Sequence, residues 1–82
     1  GYYTDYSVSR DGKLIAYSSS QSGGRENIYV KQTADGEELR VTRDEWTNVC
    51  PIFSPDDQRI LYSSQREGNA GLYVIPVLGG AA

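Results

Sequence analysis

The chain has 82 residues, eight basic and eleven acidic side chains for a net charge of −3, one cysteine and no histidine. A lone Cys50 excludes an internal disulfide and a cysteine zinc cluster. The missing imidazole excludes His-ligated metal sites and any Ser-His-Asp or Cys-His pair built from this chain alone. The acidic balance leaves no electrostatic footprint for nucleic acid, and the longest apolar runs, Leu14 to Tyr17 and Leu72 to Leu78, fall far short of a membrane span. The opening Gly1-Tyr2-Tyr3-Thr4-Asp5 has neither a basic start nor an apolar stretch, so no signal peptide is expected.

Taken in chain order, the elements are short strands separated by turn residues. A first strand is expected at about Thr4 to Ser9, followed by a tight turn at Arg10-Asp11-Gly12, where glycine accepts positive φ. Lys13 to Ser19 forms the second strand, Ser20 to Asn27 a loop, and Asn27 to Gln32 the third strand. Ala34-Asp35-Gly36 turns the chain into a fourth strand, Glu38 to Thr42. The pattern then restarts: Thr47 to Ser54, a turn at Pro55-Asp56-Asp57, Arg59 to Ser64, a loop from Gln65 to Gly71, and Leu72 to Val77. No window carries apolar residues at helical spacing over three turns, so essentially no helix is expected.

The restart is a repeat. Val8-Ser9-Arg10-Asp11-Gly12-Lys13-Leu14-Ile15-Ala16-Tyr17-Ser18-Ser19 matches Phe53-Ser54-Pro55-Asp56-Asp57-Gln58-Arg59-Ile60-Leu61-Tyr62-Ser63-Ser64 at six of twelve positions with an offset of 45. Ile28-Tyr29-Val30 matches Leu72-Tyr73-Val74 at an offset of 44. A period near 45 with four short strands fits one propeller blade per repeat. The expected fold is therefore all-β: two four-stranded antiparallel β-propeller blades, residues 1–45 and 46–82, the second lacking its outermost strand. Two blades cannot close a ring, so the pair belongs to a larger or oligomeric propeller. The faces left bare are expected to carry Ile15, Tyr17 and Val30 on one side, or Ile60, Tyr62 and Val74 on the other. Phe53 and Ile60 to Tyr62 predict a sharper core in the second repeat, and Cys50, on an innermost strand, is expected to pack toward the neighbouring blade as a structural residue.

Pro51-Ile52-Phe53-Ser54-Pro55-Asp56, then Arg59-Ile60-Leu61-Tyr62-Ser63-Ser64, Leu72-Tyr73-Val74 and Gly79-Gly80, resemble the TolB-like propeller repeat. The first copy departs from that pattern with Tyr6 for the leading proline, Val8 for the aromatic and Arg10 for the turn proline. In the second, Asp57 replaces the usual glycine. The wording Gln65 to Gly68 with Leu72 to Gly80 is similar to propellers appended to bacterial Ser/Thr kinases and winged-helix regulators. This resemblance implies a non-enzymatic scaffold or sensor segment with a protein or peptide partner and no cofactor, and leans toward a periplasmic or other extracytoplasmic location. Gating propellers of prolyl-oligopeptidase-like or tricorn-like peptidases and carbohydrate-binding propellers are the alternatives.

Individual residues narrow the site. Asp5, Asp11, Asp56 and Asp57 lack the calcium-loop spacing, and Asp11 and Asp56 read as turn acids that accept backbone N–H bonds. The serine runs carry no Gly-x-Ser-x-Gly elbow and no base. Tyr17, Tyr29, Tyr62 and Tyr73 recur at the repeat period and are expected to pack between blades. The candidate interaction face comprises Tyr3, Asp5, Trp46, Thr47 and Asn48 from the segments leading into each repeat, and Arg25 and Arg66 from loops. Trp46 offers a flat apolar body with hydrogen-bonding neighbours.

Overall fold

The computed structural model describes residues 3–20, 25–34, 36–43 and 46–77, and only the backbone of Tyr3, Thr4 and Asp5. Among the described residues seven strands run in order: β1 Tyr3–Val8, β2 Leu14–Ser19, β3 Asn27–Gln32, β4 Glu38–Arg40, β5 Thr47–Phe53, β6 Arg59–Arg66 and β7 Asn69–Pro76. They form an antiparallel four-stranded sheet, β1-β2-β3-β4, and an antiparallel three-stranded sheet, β5-β6-β7. Among the described residues there is no helix. The end of the second repeat, Leu78 to Ala82, lies outside the described residues.

The β1–β2 and β5–β6 turns are built alike, bond for bond. The Gly12 N–H donates to the Ser9 carbonyl and the Asp57 N–H to the Ser54 carbonyl, each at 2.9 Å. The Ser9 hydroxyl donates to Asp11 at 2.7 Å and the Ser54 hydroxyl to Asp56 at 2.6 Å. The same carboxylates accept the backbone N–H of Lys13 and of Gln58. The turn closes on a residue in the left-handed region, Gly12 at φ 76° and Asp57 at φ 60°. Glycine takes this conformation at little cost, and aspartate tolerates it better than most residues. The expected roles of Asp11 and Asp56 as turn acids are thus met.

One connection differs from the sequence reading. In place of a loop from Gln65 to Gly71, β6 continues to Arg66 and β7 begins at Asn69, with Arg66 paired to Asn69. Glu67 and Gly68 both have positive φ, 50° and 80°. Such a two-residue turn matches the twist of its strands and lets the ladder run to its tip.

Register decides which side chains meet. Ala16 pairs with Val30 and Tyr17 with Tyr29, so the aliphatic pair faces one side of the first sheet and the aromatic pair the other. In the second sheet Ile60 pairs with Ile75, Tyr62 with Tyr73 and Leu61 with Val74. One buried cluster takes Ala16, Ile28, Val30 and Val41 from the first sheet region and Ile60, Tyr62, Ile75 and Val77 from the second, with Leu14, Phe53 and Tyr73 packed against it. The expectation for the bare faces is corrected accordingly: Val30, Ile60 and Tyr62 are buried between the sheets, and Tyr17 is buried on the far side of its own sheet. Among the described residues, the large apolar side chains exposed on the far face of the first sheet are Tyr6 and Val8, and those of the second are Ile52, Leu72 and Val74. Antiparallel pairing puts Val30 beside Ala16, on the face opposite to Tyr17.

Cys50 is a second correction. It is exposed, not packed against a neighbouring blade. Pairing between β5 and β6 shifts between Val49 and Ile52, and Cys50 sits in that bulge at φ 58°. Pro51 has no N–H to give to the ladder, a situation met at bulges, and the bulge re-aims the preceding side chain toward solvent. The pairing of β1 with β2 also shifts, between Tyr3 and Tyr6, one residue earlier in the repeat.

Two outcomes test this arrangement. Ile60 is fully buried and Ile52 is 56% exposed, so Ile60→Ala should cost about 3 kcal/mol in urea unfolding and Ile52→Ala less than about 1 kcal/mol. Equal losses would mean that the sheets do not pack on the assigned faces. The Ser9 hydroxyl first and the Lys13 N–H second hold Asp11 below the ordinary aspartate value, and Ser54 and Gln58 do the same for Asp56. A depressed folded value stabilises the fold above the unfolded value of about 3.9, and that contribution disappears as pH falls through the folded value. Acid titration followed by circular dichroism should show stability lost below about pH 4, with a shallower acid dependence in a Ser9→Ala, Ser54→Ala double variant.

Candidate functional site

Hairpin geometry sends the sequence-designated residues to one end of the two sheets. Tyr3 pairs with Ser19, Ser19 with Asn27, Thr47 with Gln65, and Arg66 with Asn69. The starts of β1, β3, β5 and β7 and the ends of β2 and β6 therefore share this end, and the Asp11 and Asp56 turns lie at the other. The side chains of Tyr3 and Asp5 are outside the described residues.

A buried polar layer supports this end. Ser18, Ser19, Asn27, Thr42, Asn48 and Ser64 are all buried. The Thr42 hydroxyl accepts the Ile28 N–H at 2.9 Å and donates to the Asn27 side-chain carbonyl at 3.1 Å. Two asparagines then act alike: the Asn27 amide donates to the Arg25 carbonyl and the Asn48 amide to the Trp46 carbonyl, each at 3.3 Å. The Asn48 N–H crosses between the sheets to the Glu26 carbonyl at 3.0 Å. Buried polar groups that are hydrogen-bonded in this way rigidify the backbone that carries them.

The five designated residues whose side chains are described thus divide by role. Arg25 is exposed, and Trp46 and Thr47 are half-buried. Asn48 is wholly buried, so it holds Trp46 and the inter-sheet link in place and presents no side chain to solvent. Arg66 lies at the end of a strand, not in a loop. Its guanidinium sits 3.9 Å from the Tyr73 ring centroid and donates to the Ser64 hydroxyl at 3.2 Å and to the Tyr62 hydroxyl at 3.3 Å. Asn27 and Thr42 were not picked out from the sequence. The signal available was the spacing of an asparagine two residues after each of Arg25 and Trp46.

The recurrent tyrosines pair within each sheet. Tyr17 and Tyr29 stack at 5.8 Å, and Tyr62 and Tyr73 lie 6.1 Å apart. The Tyr17 hydroxyl donates to the Glu38 carboxylate, and Lys31 lies 5.7 Å from the Tyr17 ring centroid. Tyr6, Ile15, Tyr17 and Lys31 line a shallow depression of about 300 Å³ on the far face of the first sheet. Among the described residues, no group of three His, Cys, Asp or Glu side chains is placed to hold a metal ion.

Two antiparallel sheets packed face to face, with repeat-equivalent faces left over, define part of a larger β-propeller. The comparisons with known proteins agree. The chain is 43% identical over 54 residues to the Tol-Pal system protein TolB of Francisella tularensis subsp. mediasiatica and 37% identical over 60 residues to that of Alcanivorax borkumensis. Those stretches are 66% and 73% of this chain but only 12% and 14% of the two relatives. A solved structure assigned as TolB from Agrobacterium tumefaciens superimposes with a TM-score of 0.84 at 27% identity, covering 99% of this chain and 30% of that one. No protein-family model matches the chain. The matches support a TolB-like propeller family for this chain.

Proposed function

We propose that the chain is a non-enzymatic propeller segment, with residues 1–45 and 46–82 as successive blades, that presents one strand end to a protein or peptide partner. The observation that carries this reading is the bracketing of Arg25 and Trp46 by Asn27 and Asn48 on a buried polar layer. An aromatic body, an exposed cation and the Thr47 hydroxyl are held on stiff backbone at one end. Rigid presentation of this kind lowers the ordering cost of binding, and Trp and Arg are the residue types that most often dominate interface energies. The TolB-like kinship favours an extracytoplasmic location.

The probe for this face is a random peptide library displayed on phage and panned against the 82-residue chain. Enriched peptides should lose at least about tenfold in affinity to Trp46→Ala and Arg25→Ala, the loss expected of an interface anchor, while far-ultraviolet circular dichroism is unchanged. Peptides that bind both variants equally well place the interaction elsewhere.

The same reading requires the two far faces to be covered, because each matches a face buried inside this chain. Leu61 and Val74 of the second sheet stand where Ala16 and Val30 stand in the first, and Ile15 and Tyr17 stand where Ile60 and Tyr62 stand in the second. Further blades of a longer protein, or copies of this chain joined head to tail, supply the cover. Sedimentation equilibrium of the isolated chain at micromolar concentration should give a mass above that of one chain, or a poorly folded species. A cooperative, well-folded monomer would count against the requirement.

A further inference from the structure

The two turns that join β1 to β2 and β5 to β6 each depart from the repeat pattern at one position, and the two departures meet in space. Arg10 stands where the second copy has Pro55, and Asp57 stands where the first copy has Gly12. The Arg10 backbone N–H points at the Asp57 carboxylate, 3.0 Å from one oxygen and 3.1 Å from the other. We infer that Arg10 and Asp57 form a latch specific to the joint between the two repeats, in which Asp57 is a positioning residue that fixes the second sheet against the first.

The chemistry of each departure is explained by the other. A proline at position 10 would suit the turn, since Pro55 occupies the same place, but proline has no N–H to donate. A glycine at position 57 would take φ 60° more easily, as Gly12 takes 76°, but glycine has no carboxylate to accept. The chain therefore forgoes the easier turn residue in both copies, and the return is one charge-assisted hydrogen bond across the joint. The latch sits at the opposite end of the sheets from the Asn48-to-Glu26 link, so the inter-sheet core is fastened at both ends.

The latch also distinguishes this joint from any other that the same repeats can make. A face of the second sheet meeting a further copy of the first offers Pro55 as donor and Gly12 as acceptor, and neither can serve. First against first has the donor alone, and second against second has the acceptor alone. Only the first repeat followed by the second has both halves. Such a pair specifies the order of neighbouring units in a way that apolar packing alone does not.

Amide hydrogen exchange and a double-mutant cycle on the 82-residue chain test the inference. Arg10→Pro and Asp57→Gly each borrow the residue that the other copy already carries in its turn, so both turns remain buildable. In the unaltered chain the Arg10 amide should exchange slowly, and Asp57→Gly should speed it at least about tenfold while the Gly12 amide, bonded within its own turn, is unchanged. Asp57→Asn should retain part of the protection, because an amide oxygen still accepts. In the cycle, Arg10→Pro should lower the folding equilibrium constant by roughly fivefold more in the unaltered chain than in the Asp57→Gly background. An Arg10 amide that exchanges at the rate of an unstructured peptide overturns the latch, whatever form the chain takes in solution. Equal effects of Arg10→Pro in both backgrounds also overturn it.

Discussion

The packing of the Ala16, Ile28 and Val30 side of the first sheet onto the Ile60, Tyr62 and Ile75 side of the second is the contact on which the rest of the structure depends. Small and branched side chains line the first surface, and larger ones fill the second. This difference in size lets the two pleated surfaces interdigitate. The contact also fixes which faces remain over. Because the sheets are copies, burying the front of the second against the back of the first leaves a front and a back of the same kinds outside. A sheet that packed by the opposite pair of faces would expose a different set of residues and direct Trp46 and Arg25 elsewhere.

Much of this was legible in the sequence, and for a physical reason. Turn chemistry is local: Ser9 with Asp11 and Ser54 with Asp56 need only two or three residues to build their networks. Two copies of the same wording therefore announce the same hairpin. The spans of β1, β2, β3 and β5 to within a residue, the all-β class and the recurrence of tyrosine all follow from patterns within about six residues, whereas β4 ends at Arg40, short of the expected Thr42, and β6 and β7 run longer than expected. The assignment of faces was less accessible. It rests on which residue lies opposite which across a ladder, and a one-residue change of register sends every side chain to the other side. Val30 was misplaced on that account, although Tyr17 and Ile15 were correctly put on a common face.

Cys50 and the Arg66 hairpin differ from the sequence expectation for a related reason. Both involve positive φ in residues that are not glycine: Cys50 in the bulge and Glu67 in the two-residue turn. Composition gives little warning of such conformations, because the residue types concerned seldom adopt them. The bulge at Cys50 is signalled only by Pro51. The tight turn is signalled only by Gly68, which the repeat alignment with the longer first-copy loop obscured. The consequence for the candidate site is direct, since a hairpin in place of a loop brings Arg66 onto Tyr73 and the Tyr62 hydroxyl.

That placement changes the electrostatics of the strand end. The sequence reading places Arg25 and Arg66 in loops on one candidate face. Arg66 instead spends its guanidinium on an aromatic face and two hydroxyls of its own sheet, where it stiffens the side of the joint that carries Tyr62. Arg25 remains exposed, and the backbone beside it is held by Asn27. The nearest tie across the joint runs from the Asn48 N–H to Glu26, so Arg25 stands one residue from a point where both sheets are joined. A cation on such a fixed support loses less freedom on meeting an acidic or carbonyl-rich group than one on a free loop. The half-buried Trp46, its carbonyl held by Asn48 two residues along the same segment, adds an apolar surface beside the same tie. The joint between the sheets is thus both the centre of the fold and the floor of the candidate face, and the Asn48 bonds to Glu26 and Trp46 tie its packing to the backbone that carries Arg25 and Trp46.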